Sequence, residues 1–124
     1  MKTIIAGSRS ITSQQLVNKV IQESGFGITE VVSGAARGVD KMGEVWAEVY
    51  NVPVKRFIPR WRELDGSYDR KAGFKRNLAM AHYAEGLIAI WDGQSNGTAD
   101  MIRYARKLGL EVWIHNTKDT PRSL

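Results

Sequence analysis

The chain has no cysteine among its 124 residues. That excludes disulfides, iron–sulfur clusters and thiol catalysis, and with them the common thiolate zinc sites. Its two histidines, His82 and His115, stand alone with no partner at metal-ligand spacing, so no metal site is expected. No apolar run approaches membrane-spanning length, which argues against a membrane partner. The N-terminus opens directly on Thr3-Ile4-Ile5-Ala6, without the long apolar region of a secretory signal, so a cytoplasmic location is expected. Acidic residues are outnumbered by basic ones, 13 against 18, leaving a formal net charge of +5. Such a balance favours anionic partners, either nucleic acid or a phosphorylated small molecule. Much of the excess lies mid-chain, in Arg56, Arg60, Arg62, Arg70, Lys71, Lys75 and Arg76.

What is present is alternation. Short apolar runs at residues 3–6, 29–33, 52–58, 87–90 and 111–114 read as strands. Between them lie helical patterns: Leu16, Val17, Val20 and Ile21 share a face behind Thr12 or Ser13 as N-cap, and Met42, Val45, Trp46 and Val49 share another. A third helix carries Phe74, Leu78, Ala81 and His82, and a fourth runs from about Met101 to Leu108. Residues 59–70 form the one long irregular stretch, with Trp61 and Tyr68 set among arginines that could stack on bases. The pattern predicts an α/β fold: a single Rossmann-like domain over residues 1–116, with about five parallel strands and helices on both faces. A polar tail at 117–124 follows it.

In such sheets ligands bind at the carboxyl ends of the strands. Three glycine-bearing loops fall on that edge: Gly7-Ser8-Arg9-Ser10, Ser33 through Asp40, and Asp92-Gly93-Gln94-Ser95-Asn96-Gly97-Thr98. The last sits between an apolar run and an amphipathic helix, where backbone N–H groups meet phosphate in nucleotide-binding units. Gly97 allows close backbone approach, and Ser95 and Thr98 add hydroxyl donors.

Ala6-Gly7-Ser8-Arg9, Ser33-Gly34-Ala35-Ala36-Arg37-Gly38-Val39-Asp40 and Trp91-Asp92-Gly93 through Gly97-Thr98 together resemble the SLOG superfamily. The likeness is to its YspA-like, cpYpsA-related branch, common in bacteria and phages, and covers roughly residues 1–115. It implies a Rossmannoid fold and binding of nucleotides or nucleotide-derived ligands. The Ser33–Asp40 stretch is also similar to a motif of DprA-type proteins, which bind single-stranded DNA. Lys75-Arg76-Asn77 through Gly97-Thr98 resembles the LOG phosphoribohydrolases, with Arg76 at their arginine, Asn77 at their lysine, and Met101 at their catalytic glutamate. Methionine cannot activate water.

The candidate ligand-binding residues are therefore Gly7, Ser8, Arg9, Ser33, Gly34, Arg37, Asp40, Arg76, Asn77, Asp92, Gly93, Ser95, Gly97 and Thr98. Asp40 reads as a helix N-cap first and as a contact to a ribose hydroxyl second, and Asp92 has a second reading as the acceptor that holds its own turn. Asp92 is also the first candidate acid if chemistry occurs, with Asp100, beside the Met101 position, as the other. No cofactor is expected. Three functions follow: a binding module for a nucleotide-like phosphorylated small molecule, a nucleotide N-glycosidase or phosphoribohydrolase, and a binder of single-stranded nucleic acid. The relatives named above also imply a homo-oligomer.

Overall fold

Ile4 and Ala6 face one side of their strand and Ile5 the other, since successive side chains alternate along an extended backbone. Both sides are dry. Ile4 and Ala6 join Val32, Leu87 and Ala89 in one core layer, while Ile5 joins Val31, Ile88 and Ile90 in the other. A sheet apolar on both faces needs helices on both faces.

The computed structural model describes residues 1–118. Nine elements alternate along it: β1 (Lys2–Gly7), α1 (Gln14–Ser24), β2 (Glu30–Ser33), α2 (Val39–Val49), β3 (Val54–Arg56), α3 (Ala72–Tyr83), β4 (Gly86–Trp91), α4 (Asn96–Lys107) and β5 (Glu111–Asn116). The sheet order is β3-β2-β1-β4-β5 and every pairing is parallel. This is the expected α/β Rossmann-like fold. The tail expected at 117–124 lies, from residue 119 onward, outside the described residues.

Helix α1 begins where Ser13 accepts a hydrogen bond from Leu16 N at 3.1 Å, and ends at Gly25 in the left-handed conformation. Its buried Val17, Val20 and Ile21 match the expected face. Helices α1 and α2 cover the Ile5 side of the sheet, and α3 and α4 the Ile4 side.

Two helices are rotated from the expected faces. On α2 the residues buried are Val39, Gly43 and Ala47, with Asp40 and Glu44, whereas Val45 and Val49 are exposed. Close approach explains this: a Cβ at Gly43 would come within 2.8 Å of the Ile5 side chain, so only small residues fit the contact row. On α3 the buried residues are Ala72, Asn77, Met80 and Ala81, while Phe74 and Leu78 lie at the surface. A buried asparagine sets that rotation by reaching across to α4. Strand β3 is shorter than the apolar run 52–58, with Pro53 contributing only its carbonyl, to Val31 N at 2.9 Å.

The stretch 59–70 is more ordered than its composition suggests. Arg62 and Tyr68 form an antiparallel bridge, closed by Glu63 N to Ser67 O at 2.9 Å and Asp69 N to Trp61 O at 2.7 Å. Across this small hairpin Trp61 and Tyr68 stack on each other, ring centroids 5.9 Å apart. Among the described residues no helix is long and apolar enough to cross a membrane.

Candidate functional site

The strand order turns back on itself between β1 and β4, because the chain moves outward from β1 through β2 to β3 and then returns to the far side. At such a switch the two flanking loops diverge toward opposite faces and leave a crevice beyond the strand ends. A cavity of about 410 Å³ occupies that place. Its walls come from the end of β1 (Ala6 to Ser10), the β2–α2 connection (Ala36, Asp40), one face of α3 (Arg76, Asn77, Met80) and the start of α4 (Asp92, Ser95, Gly97, Thr98, Met101).

The two loops that frame it are tied together. Ser8 N donates to Ile90 O at 3.1 Å, and Asp92 N donates to the buried Ser8 Oγ at 3.1 Å. Gly7 permits this: a Cβ there would run into the Ile90 carbonyl and stand 2.7 Å from the Val39 side chain. Asp92 folds the β4–α4 loop onto itself, its Oδ1 accepting from Gln94 N at 2.9 Å and Ser95 N at 2.8 Å. Those backbone N–H groups hold its carboxyl below the ordinary value. Of the two readings of Asp92, the turn-holding one describes its contacts.

Beyond this loop α4 starts with open donors. Ser95 occupies the N-cap position without making a side-chain cap. The first amide to find a carbonyl is Ala99 N, on Ser95 O at 3.1 Å. The N–H groups of Asn96, Gly97 and Thr98 have no acceptor among the described residues, as helix geometry dictates for a first turn. Ser95 Oγ and Thr98 Oγ1 lie 3.3 Å apart beside them, and a Cβ at Gly97 would meet nothing within 4 Å.

Across the crevice Arg76 is half-buried. It donates from Nη1 to the Gly34 carbonyl and from Nε to Asn77 Oδ1 at 2.9 Å. No carboxylate among the described residues lies in ion-pair range of it, and Nη2 has no acceptor among them. Burial lowers its guanidinium from the ordinary value, the nearby Asp40 charge working against this and Arg9 with it. Asn77 is buried, and its Nδ2 reaches the Gly97 carbonyl at 3.2 Å.

Asp40 is not the N-cap of α2. Gly38 holds that position, with φ at 82°, and Asp40 sits one residue inside the helix. Its Oδ2 reaches back to accept from Ala36 N at 3.2 Å. Only 6% of the residue is exposed, and burial raises its carboxyl to about 6, with the Ala36 N–H and the Arg76 and Arg9 charges opposing and Glu44 adding.

Of the fourteen candidates, ten line this cavity. Ser33, Gly34, Arg37 and Gly93 do not. Ser33 is buried with its hydroxyl on Glu44 Oε2 at 2.6 Å, where Arg56 Nη2 also holds the carboxylate at 2.8 Å through Oε1. Gly34 leaves room instead of contacting the crevice: a Cβ there would stand 2.6 Å from Arg76 Nη1 and 2.8 Å from Asp40 Oδ2. Arg37 borders a neighbouring depression with Arg9 and Lys41. Gly93, with φ at 79°, turns the loop toward Asn116. Five wall residues were not candidates: Ala6, Ser10, Ala36, Met80 and Met101. Met80 follows Arg76 by one helical turn, a spacing that could have flagged it. No group of three or more metal-ligating side chains comes together among the described residues.

A family model described as the YspA, cpYpsA-related SLOG family matches residues 1–64. No curated protein matches the chain significantly. Among solved structures the chain is similar to the X-ray structure of DNA processing protein A (DprA) from Streptococcus pneumoniae, with a TM-score of 0.74 and 21% identity, covering 95% of this chain. The chain spans about half the length of that protein, 52%, and at this identity the likeness is one of fold.

Proposed function

The chain belongs to the YspA, cpYpsA-related SLOG family, and from that premise we propose that its crevice binds a nucleotide or nucleotide-derived small molecule through a phosphate. One observation carries the reading. The first three N–H groups of α4 are unpaired beside the Ser95 and Thr98 hydroxyls, at the mouth of a cavity whose opposite wall holds Arg76. Anions are favoured at a helix N-terminus by both the open donors and the macrodipole. A half-buried arginine with no carboxylate partner adds charge-assisted hydrogen bonds, stronger than neutral ones. Arg9, exposed at the rim, contributes a second positive charge. The cavity's volume lies within the range of small-molecule sites.

Binding without turnover is the reading the side chains favour. Met101 lines the cavity with a thioether where the LOG resemblance implies a carboxylate. Asp92 is committed to two loop amides and held below its ordinary value, which makes it a weak base and a poor proton donor near neutrality. A sensor or sequestering module needs neither group.

A second reading, binding of single-stranded nucleic acid, rests on the hairpin at 59–70, where the partly exposed Trp61–Tyr68 stack stands among Arg60, Arg62 and Arg70. Stacking aromatics beside cations suit unpaired bases.

Mass spectrometry after incubation with nucleoside monophosphates, diphosphates and ADP-ribose tests the first reading. An intact compound retained by wild type and weakened at least about tenfold by Arg76→Ala and Thr98→Val is the expected result. Release of free base, or retention unaffected by either change, overturns it.

A further inference from the structure

We propose that Asp40 selects ribose: its free carboxylate oxygen, at the wall of the crevice, accepts a hydrogen bond from a sugar hydroxyl of the ligand. The inference rests on the nucleotide reading above and names which nucleotides the site takes.

Asp40 is nine-tenths buried and lines the cavity. Its Oδ2 is occupied by Ala36 N at 3.2 Å. Its Oδ1 receives no hydrogen bond from any described residue, and neither Arg76 nor Arg9 comes within ion-pair distance of either oxygen. Arg76 turns Nη1 to the Gly34 carbonyl and Nε to Asn77, and its free Nη2 makes no bond to Asp40. Oδ1 is therefore open to the crevice, since Asp100 Oδ2, and not Asp40 Oδ1, is the side-chain atom that is both buried and without a partner among the described residues. Water serves it in the absence of ligand, and a ligand that displaces that water must replace its hydrogen bond or lose affinity.

The chemistry of the donor follows from the surroundings. A second anion would be repelled by Asp40, so the phosphate belongs at the α4 end, where the N–H groups are. An ammonium would suit Asp40, but the two arginines that act on it disfavour another cation. A neutral hydroxyl meets neither objection. A nucleotide carries phosphate on one side of its sugar and, on ribose, a vicinal diol on the other. With the phosphate on α4, the sugar is the part that can present a hydroxyl to α2. A site built to bind a hydroxyl rejects the analogue lacking it, because the buried acceptor is then left unpaired. Deoxyribose ligands are therefore disfavoured, and with them DNA.

The test is calorimetric titration of wild type and Asp40→Asn with the four ribonucleoside 5′-monophosphates and with their 2′-deoxy and 3′-deoxy analogues. In wild type at least one deoxy series should bind about 10–100-fold more weakly than its parent, the span of a hydrogen bond to a charged group. Asp40→Asn should bring the ratio between ribonucleotide and deoxy affinities close to one, whatever the loss of its charge does to phosphate binding as a whole. Equal affinity for parent and both deoxy series in wild type overturns the assignment and leaves the nucleotide reading standing. No binding of any compound overturns both. Folding of the variant does not decide the matter, since the wild-type comparison alone can refute it.

Discussion

Asn77 on α3 donates from Nδ2 to the Gly97 carbonyl on α4 at 3.2 Å, while its Oδ1 accepts from Arg76 Nε at 2.9 Å. One buried amide thus fixes both the arginine and the first turn whose N–H groups face the crevice. Resemblance placed Asn77 among ligand-contacting residues, and the structure gives its polar atoms a fastening role. Asn77→Ala removes both bonds and leaves the half-buried Arg76 Nε without its acceptor, while the Gly97 carbonyl keeps its intrahelical partner. Urea denaturation should show a loss of about 1–3 kcal/mol, the usual cost of a buried polar group left unpaired. Phosphate-ligand affinity should fall with it, and Asn77→Asp, which keeps an acceptor for Arg76 but sets an oxygen against the Gly97 carbonyl and a negative charge in the crevice, should not restore it.

Gly7 and Gly97 both border the crevice, and they should behave oppositely. A Cβ at Gly7 strikes the Ile90 carbonyl, which is backbone of a central strand and cannot step aside. Gly7→Ala should destabilise the protein by about 1–3 kcal/mol, as overpacking does, read as a lower urea midpoint at unchanged slope. A Cβ at Gly97 meets nothing, and alanine is a better helix former by about 1 kcal/mol. Gly97→Ala should therefore fold at least as well as wild type and bind a phosphate ligand less well. Weakened folding in Gly97→Ala, or normal stability in Gly7→Ala, would contradict this account of the two positions.

The order of elements, the parallel sheet and the three loops at its edge were legible because each rests on local pattern: alternation in strands, glycine where loops meet, periodicity in α1. Ten of fourteen candidates meet at one cavity for the same reason, since strand ends in a parallel sheet share an edge. Helix rotation was not legible. On α2 Val45 and Val49 lie outside and the larger Met42 and Trp46 are only partly buried, because the close contact with Ile5 selects for Gly43. A hydrophobicity pattern weighs bulk and cannot see close approach. Ser33 shows the other limit. Its partner Glu44 lies eleven residues on, so nothing local distinguishes a ligand hydroxyl from one already taken.

The Asp40 carboxyl gives the fold a characteristic pH signature. Burial lifts it from the ordinary 3.8 to about 6, only partly offset by the Ala36 N–H and by the Arg76 and Arg9 charges, with Glu44 adding to the rise. The native state consequently binds more protons than the unfolded chain between those two values. The stability that the neutral form contributes is complete below about 4 and is lost as pH climbs through about 6, amounting to about 3 kcal/mol at 1.36 kcal/mol per unit. Asparagine keeps the acceptor for Ala36 N and cannot ionise. Asp40→Asn should match wild type near pH 4 and exceed it by a few kcal/mol at pH 8. Carboxylates held low, such as Asp92 and Asp69, act in the opposite sense but are common to both proteins and cancel in the difference. Parallel stability profiles from pH 4 to 8 would refute it.

The two readings of the positive charge part company on salt. A mononucleotide in a preformed crevice neutralises few charges, so its affinity should change little between 50 and 200 mM salt. A strand laid over the basic hairpin releases counterions at each phosphate, with a slope of about −0.7 per contact on a log–log plot. The hairpin's side chains sharpen this. Trp61, Arg62 and Tyr68 do not line the crevice, and the Trp61 and Tyr68 rings already stack on each other with Arg62 over the Tyr68 ring at 5.7 Å. Trp61→Ala and Arg62→Ala should accordingly leave mononucleotide affinity within about twofold of wild type. On an oligonucleotide, loss of a stacking ring costs about 1–3 kcal/mol per base, so the same Trp61→Ala change should weaken a bound strand at least about fivefold. If wild type binds an oligonucleotide with a steep slope and Trp61→Ala abolishes it, the hairpin is a second surface with its own ligand. A shallow slope for both ligands, insensitive to Trp61, confines binding to the crevice between Arg76 and the first turn of α4.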